Sequence, residues 1–178
     1  MRTRRSLLGW AFLGWTVLAL GGESAPRPFV SGSLSAITAP RTGRAFLLNL
    51  WSLNCPPCRG ELALLARLVR DHPRFDVVLI AADAPSDAEK VQRVLAERGL
   101  SGVESWIFGE ASPPRLRYEI DAGWYGELPR NYFYDPAHNR ISVSGVLKEE
   151  QLSAWIAAVE RQTGARTKKP AAIKPHAP

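Results

Sequence analysis

A chain of 178 residues, 46% of them hydrophobic, is long enough to bury one core of ordinary size, so its stability does not depend on cross-links. The two cysteines and three histidines (His72, His138, His176) offer no four-ligand set at zinc spacing, and a bridge across two residues closes too small a loop to be a useful staple. The net charge of +6 resides in the two ends: residues 26–160 hold 15 Lys plus Arg against 16 Asp plus Glu, with no basic stripe among aromatics, which argues against a nucleic-acid partner.

The opening segment MRTRRSLLGWAFLGWTVLALGGESA sets Arg2, Arg4 and Arg5 before an apolar run from Leu7 to Leu20, followed by small residues. That is the layout of a secretory signal peptide. Residues 1–24 are read as a signal peptide or, because the run falls little short of the roughly 20 residues of a spanning helix, as an N-terminal membrane anchor. Either reading exports the chain; TRRSLL loosely resembles a twin-arginine signal. Residues 26–43 mix Pro, Ser and Gly and predict an extended lead-in with an edge strand around Leu34 to Ile37. RAFLLNLW predicts a strand buried on both faces.

CPPCRGELALLARLVRDHP follows, with Leu62, Leu65, Leu68 and Val69 at helical spacing and Pro73 beyond, which predicts a helix from the cysteines to Asp71. FDVVLIAAD predicts a second buried strand. SDAEKVQRVLAERG predicts a second helix, opened by a capping box of Ser86 and Glu89 and closed by Gly99. VESWIF is a third strand, and the irregular stretch after it holds a helical turn around Arg115 to Tyr118. NYFYDPAHNRISVSG predicts an antiparallel hairpin, and KEEQLSAWIAAVERQ a helix with Leu152, Trp155, Ile156 and Val159 on one face. The order describes one α/β domain over residues 26–160 with a mixed sheet flanked by helices. Residues 161–178, rich in Pro, Ala and Lys, are expected to form a basic disordered tail.

Cys55 and Cys58 stand where a buried strand gives way to a helix. The unpaired N–H groups that open a helix favour negative charge, so the Cys55 thiol is expected to ionise more readily than a free thiol of pKa about 8.5. Cys58, one turn further in, is expected to be more buried and to resolve a mixed disulfide formed at Cys55. Pro57 suits the first helical turn, where its missing N–H costs no bond, and Pro56 adds rigidity. The exchange needs no added cofactor. The alternative reading of the same sulfurs is a Cu(I)-binding or metal-delivery module, since thiolates suit soft metals.

LLNLWSLNCPPCRGEL resembles the active-site segment of the TlpA/ResA-type thioredoxin-like proteins, which include the cytochrome c maturation reductases; Trp51, Cys55, Cys58 and Glu61 match its form. Asn54 stands where the family generally has a second Trp, and Ala63 where a helix-kinking Pro is common. GWYGELPRNYFYD resembles the family's cis-proline segment with one extra residue before the proline. The resemblance implies a thioredoxin-like fold and a thiol-disulfide oxidoreductase with Cys55 attacking and Cys58 resolving. It implies that Glu61 assists proton transfer, the other reading being a carboxylate favoured near the positive end of its helix. It also makes Pro129 a cis-proline and the Leu128 backbone the docking edge for a partner strand. Trp51, Pro56, Pro57 and Trp124 complete the expected partner site, with Tyr125 and Glu127 beside it. Expected partners are protein thiols and disulfides and a membrane electron donor. The expected location is the periplasm, either free or tethered through the N-terminus, and the expected direction is reduction, with cytochrome c maturation among the tasks implied.

Overall fold

The computed structural model describes residues 25–109 and 113–167, the side chains of 163–167 excepted; the expected signal segment, and the tail beyond 167, lie outside these. A six-stranded sheet is built from β1 (Arg27–Phe29), β2 (Phe46–Trp51), β3 (Asp76–Ala81), β4 (Glu104–Phe108), β5 (Arg130–Tyr134) and β6 (Arg140–Ser144) in the order β1-β4-β3-β2-β5-β6. β1, β4, β3 and β2 run parallel, whereas β5 is antiparallel to β2 and β6 to β5. The helices are α1 (Ser33–Thr38), α2 (Pro56–Asp71), α3 (Ala88–Glu97), α4 (Pro113–Ile120) and α5 (Glu149–Thr167).

All six residues of β2 are buried, as a strand covered on both faces requires. Alternation then sorts them. Leu47 and Trp51 join Leu62 and Leu65 of α2, Val91 and Leu95 of α3 and Leu152 and Ile156 of α5 in one core, while Phe46, Leu48 and Leu50 join Ile37 of α1 and Leu116 and Ile120 of α4 in the other. Asn49 therefore lies on the α2 side of the sheet, directly opposite Asn131 of β5 in register.

Three local expectations change. Leu34 to Ile37 is helical, because Leu34 and Ile37 sit three apart and both reach the second core; the edge strand lies earlier, at Arg27–Phe29. Gly32, at φ +84, makes the turn between them in a conformation that suits glycine. The Ser86 and Glu89 capping box does not form: Pro85–Asp87 is a 3-10 turn, so α3 begins at Ala88 and its N-cap is Asp87, which makes no side-chain cap. Gly99, at φ +72, closes α3 as expected, with Leu100 N–H donating to Leu95 O at 2.8 Å. Finally, α5 continues to Thr167, so the boundary expected at residue 161 falls inside a helix.

Candidate active site

Cys55 and Cys58 are bonded to each other at the start of α2. Cys55 is the N-cap, with φ −114 and ψ 92, and its sulfur accepts a hydrogen bond from Cys58 N at 3.2 Å. The sequence explains the geometry and sharpens the expectation of several free amides. Pro56 and Pro57 occupy the first two helical positions and have no N–H, and Arg59 N–H already donates to Cys55 O at 3.2 Å. The first turn thus directs a single amide, that of Cys58, at the Cys55 sulfur. Cys55 is half-buried and Cys58 only 1% exposed, so one sulfur is reachable and the other is shielded. Pro56 and Pro57 are exposed beside them.

Glu61 lies three residues beyond Cys58 and so on the same face of α2. It is 2% exposed. Oε1 accepts from Asn49 Nδ2 at 2.7 Å and Asn131 Nδ2 at 2.9 Å, and Oε2 accepts from Leu147 N at 2.6 Å. Asn49 Nδ2 also reaches Asn131 Oδ1 at 2.8 Å. Burial pushes the Glu61 carboxyl above its ordinary range; the three donors pull the other way without cancelling the rise. No cation joins this cluster among its described partners, and two buried atoms on the same face of β2, Asn49 Oδ1 and Trp51 Nε1, have no hydrogen-bond partner. The floor of the site is a desolvated acid ringed by neutral amides. Asn131 carried no signal in the sequence beyond its place in a strand; only register against Asn49 brings it to Glu61.

The Leu128–Pro129 peptide bond is cis, the isomer the resemblance implies. Pro129 is buried, and Leu128 is half-buried against the core that also contains Trp51 and Cys58 and that Cys55 packs on. The segment before it is fastened down. Trp124 Nε1 donates to Glu127 O at 2.8 Å, and Arg130, 9% exposed, reaches Asp121 at 2.8 Å, Glu127 at 3.2 Å and the Tyr132 hydroxyl at 3.1 Å, besides Ser144 Oγ. Trp51 is 1% and Trp124 4% exposed, so both support the site from within and neither presents a face to a partner. Tyr125, 90% exposed, is the aromatic that this segment shows to solvent.

A second carboxylate holds the turn before the cysteines and was not read from the sequence. Asp83, just past β3, accepts from Ser52 Oγ at 2.9 Å and from Leu53 N at 3.1 Å and 3.2 Å through its two oxygens.

No family model matches the sequence. A curated relative, the thiol-disulfide oxidoreductase ResA of Halalkalibacterium halodurans, is 34% identical over 59 residues, which is 33% of this chain. In that match the chain spans 34% of the relative's length. A secreted Mycobacterium tuberculosis disulfide oxidoreductase homologous to E. coli DsbE superposes with TM-score 0.55 at 20% identity, covering 67% of this chain and 85% of that one. The fold is thioredoxin-like. StoA of Bacillus subtilis gives TM-score 0.52 at 20% identity, over 66% of this chain and 86% of its own. The resemblance to TlpA/ResA-type proteins is borne out by the ResA relative, and the thioredoxin-like fold by the structures. Among the described residues no helix is long and apolar enough to cross a membrane.

Proposed function

We propose that this chain is a thiol-disulfide oxidoreductase that exchanges its dithiol with disulfides of protein partners. One observation carries the reading: a reachable sulfur at the N-cap of α2 receives a directed amide, while its bonded neighbour is shielded behind it. In the reducing direction, the Cys55 thiolate attacks one sulfur of a partner disulfide. The partner's other sulfur leaves as thiolate and takes up a proton. Cys58, deprotonated with Glu61 as the acceptor on its own helix face, then attacks the Cys55 sulfur, re-forms the intramolecular bond and releases the partner's second thiolate, which is protonated in turn. Two electrons pass to the partner, and an external dithiol returns them.

The raised proton affinity of Glu61 supports this role, because a carboxyl that is protonated too readily in water's terms is a better acceptor for a thiol proton. The exposed Pro56 and Pro57 and the half-buried Leu128, whose backbone the buried cis Pro129 holds in place, form the surface on which a partner strand lies. The signal-like first 24 residues support export to the periplasm, with or without a retained anchor. The likeness to the thiol-disulfide oxidoreductase ResA supports the exchange chemistry. Reduction, with cytochrome c maturation as the task and a membrane thiol donor as the electron source, follows from the resemblance of the cysteine segment to the TlpA/ResA type.

The test is exchange in vitro and trapping in cells. The reduced chain reduces glutathione or insulin disulfides, the Cys55→Ser variant does not, and Cys58→Ser accumulates a mixed disulfide whose partner mass spectrometry identifies. A trapped apocytochrome c supports the maturation role. Tight stoichiometric Cu(I) binding by a native protein that exchanges no disulfide would replace this reading with the metal-delivery one.

A further inference from the structure

The three residues that lead into the dithiol, Ser52 to Asn54, are tied to it and to one another through a carboxylate that the exchange chemistry does not use. Asp83 holds the Ser52 hydroxyl and the Leu53 amide, the Ser52 hydroxyl accepts from Asn54 N at 3.3 Å, and Ser52 O accepts from Cys55 N at 3.2 Å. The strand end beneath is fixed in the same way, with Ala82 N–H donating to Trp51 O at 2.9 Å. Asp83 is 9% exposed and accepts from the neutral donors Ser52 Oγ and Leu53 N–H; among the described residues the charge that bears on it is Asp87, of like sign, from the 3-10 turn before α3. A buried carboxylate bonded to Leu53, two residues before the N-cap cysteine, is thus built into the turn that carries the sulfur on which a second negative charge must develop.

We propose that Asp83 is a positioning residue for Cys55: its carboxylate fixes the turn that aims the sulfur, and its charge sets how readily that sulfur ionises. The device opposes the helix. The Cys58 amide draws negative charge onto Cys55, while Asp83 resists it, so the acidity of the thiol is a balance struck across the turn. The carboxyl is itself held above its ordinary range by burial, against the pull of Leu53 N–H and the Ser52 hydroxyl. It consequently ionises closer to the working range of the thiol than a surface aspartate does.

This inference rests on Cys55 being the attacking sulfur, and the experiment separates the two claims. In the full reduced chain, the rate of iodoacetamide labelling at Cys55, located by peptide mapping, is followed against pH for native protein, Asp83→Asn and Asp83→Ala, beside glutathione disulfide reduction. Asp83→Asn keeps an acceptor for the turn and removes the charge; its Cys55 midpoint is expected to fall by about half a unit or more with the plateau rate kept. Asp83→Ala loses the turn as well, and its disulfide exchange is expected to slow about tenfold, a loss that the asparagine variant restores. A native protein that exchanges disulfides normally while the Asp83→Asn midpoint stays in place overturns the role of Asp83 and leaves the enzyme reading intact. A native protein that exchanges none overturns both. Should Asp83→Ala not fold, the asparagine variant alone decides.

Discussion

At the N-terminal ends of β3 and β4, Arg41 is 5% exposed and meets Asp76 at 2.8 Å, Glu104 at 2.7 Å and Ile37 O at 2.7 Å. Toward the other end of β2, Glu61 is 2% exposed and meets only amides. The first cluster compensates its charge and satisfies its donors. The second buries an acid without a cation and leaves two polar atoms beside it unpartnered. Unpaired buried groups each cost about 1–3 kcal/mol, so the second arrangement is not what stability alone would select. On the proposed function, the difference separates a structural cluster from one built for proton transfer. The two carboxylates record it: burial opposes charge on Glu104, but its bonds to Arg41 and Trp106 hold it below the ordinary range, whereas burial prevails on Glu61 and lifts it above.

The comparison can be broken by substitution. The largest effect is expected from Cys55→Ser, which should reduce disulfide exchange to background without loss of the folded state; residual turnover carried by Cys58 would contradict the division of labour between the sulfurs. Next is Arg41→Met, which takes the buried cation from Asp76 and Glu104 and leaves them, among the described residues, only the exposed cations Arg44 at 3.9 Å and Arg27 at 3.8 Å. It should cost about 3–5 kcal/mol in urea unfolding while the folded fraction exchanges at the native rate, and a lost rate with native stability would reverse the roles of the two clusters. Glu61→Gln should do the opposite. Exchange at neutral pH should slow about tenfold to a hundredfold, with stability changed by only about 1 kcal/mol for the acceptor withdrawn from Leu147 N–H. Equal damage to stability from both variants would erase the distinction.

Stability against pH separates the clusters more finely. A carboxyl whose folded pKa is raised binds its proton more tightly in the folded chain, so its contribution is greatest at low pH and declines as pH rises from the ordinary value of 4.5 through the raised one. The native protein should therefore lose stability relative to Glu61→Gln as pH climbs through that window and run parallel above it. Glu104 behaves in the opposite sense. Its folded pKa is lowered, so its contribution is present above 4.5 and is lost as pH falls through the lowered value; native minus Glu104→Gln should shrink on acidification. Slopes of the same sign in both pairs would show that the clusters are not electrostatically distinct. The smallest effect is expected from Pro57→Ala, which returns an N–H to the second helical position and should lower the midpoint of Cys55 labelling by a few tenths of a unit. An unchanged midpoint would mean that first-turn amides do not govern the sulfur.

Much of this arrangement was legible in the chain because it depends on local pattern. The continuous apolar run of β2 marks a strand buried on both faces, Leu62, Leu65 and Leu68 recur at the helical period on the buried face of α2, β5 and β6 pair as the expected hairpin, and the cysteines fall at the strand-to-helix junction after β2. Pro129 was legible through the residues around it. The partners of Glu61 were not, because Asn49, Asn131 and Leu147 N lie 12, 70 and 86 residues away and only sheet register and the approach to α5 bring them together. Asp83 was hidden for the same reason, its role being fixed by a turn 30 and 31 residues earlier. Trp124 and Tyr125 stand side by side in sequence, yet the buried one is the tryptophan, because its indole N–H finds Glu127 O inside the loop. Leu34 to Ile37 illustrates the ambiguity of a short apolar segment, which a glycine turn committed to a helix.

The most direct test of the account is the pH dependence of alkylation in the fully reduced chain, with the labelled cysteine located by mass spectrometry. Label should enter at Cys55, with a midpoint below the value of about 8.5 of a free thiol, while Cys58 stays protected. Label entering first at Cys58, or a Cys55 midpoint no lower than that of a simple peptide thiol, would contradict it.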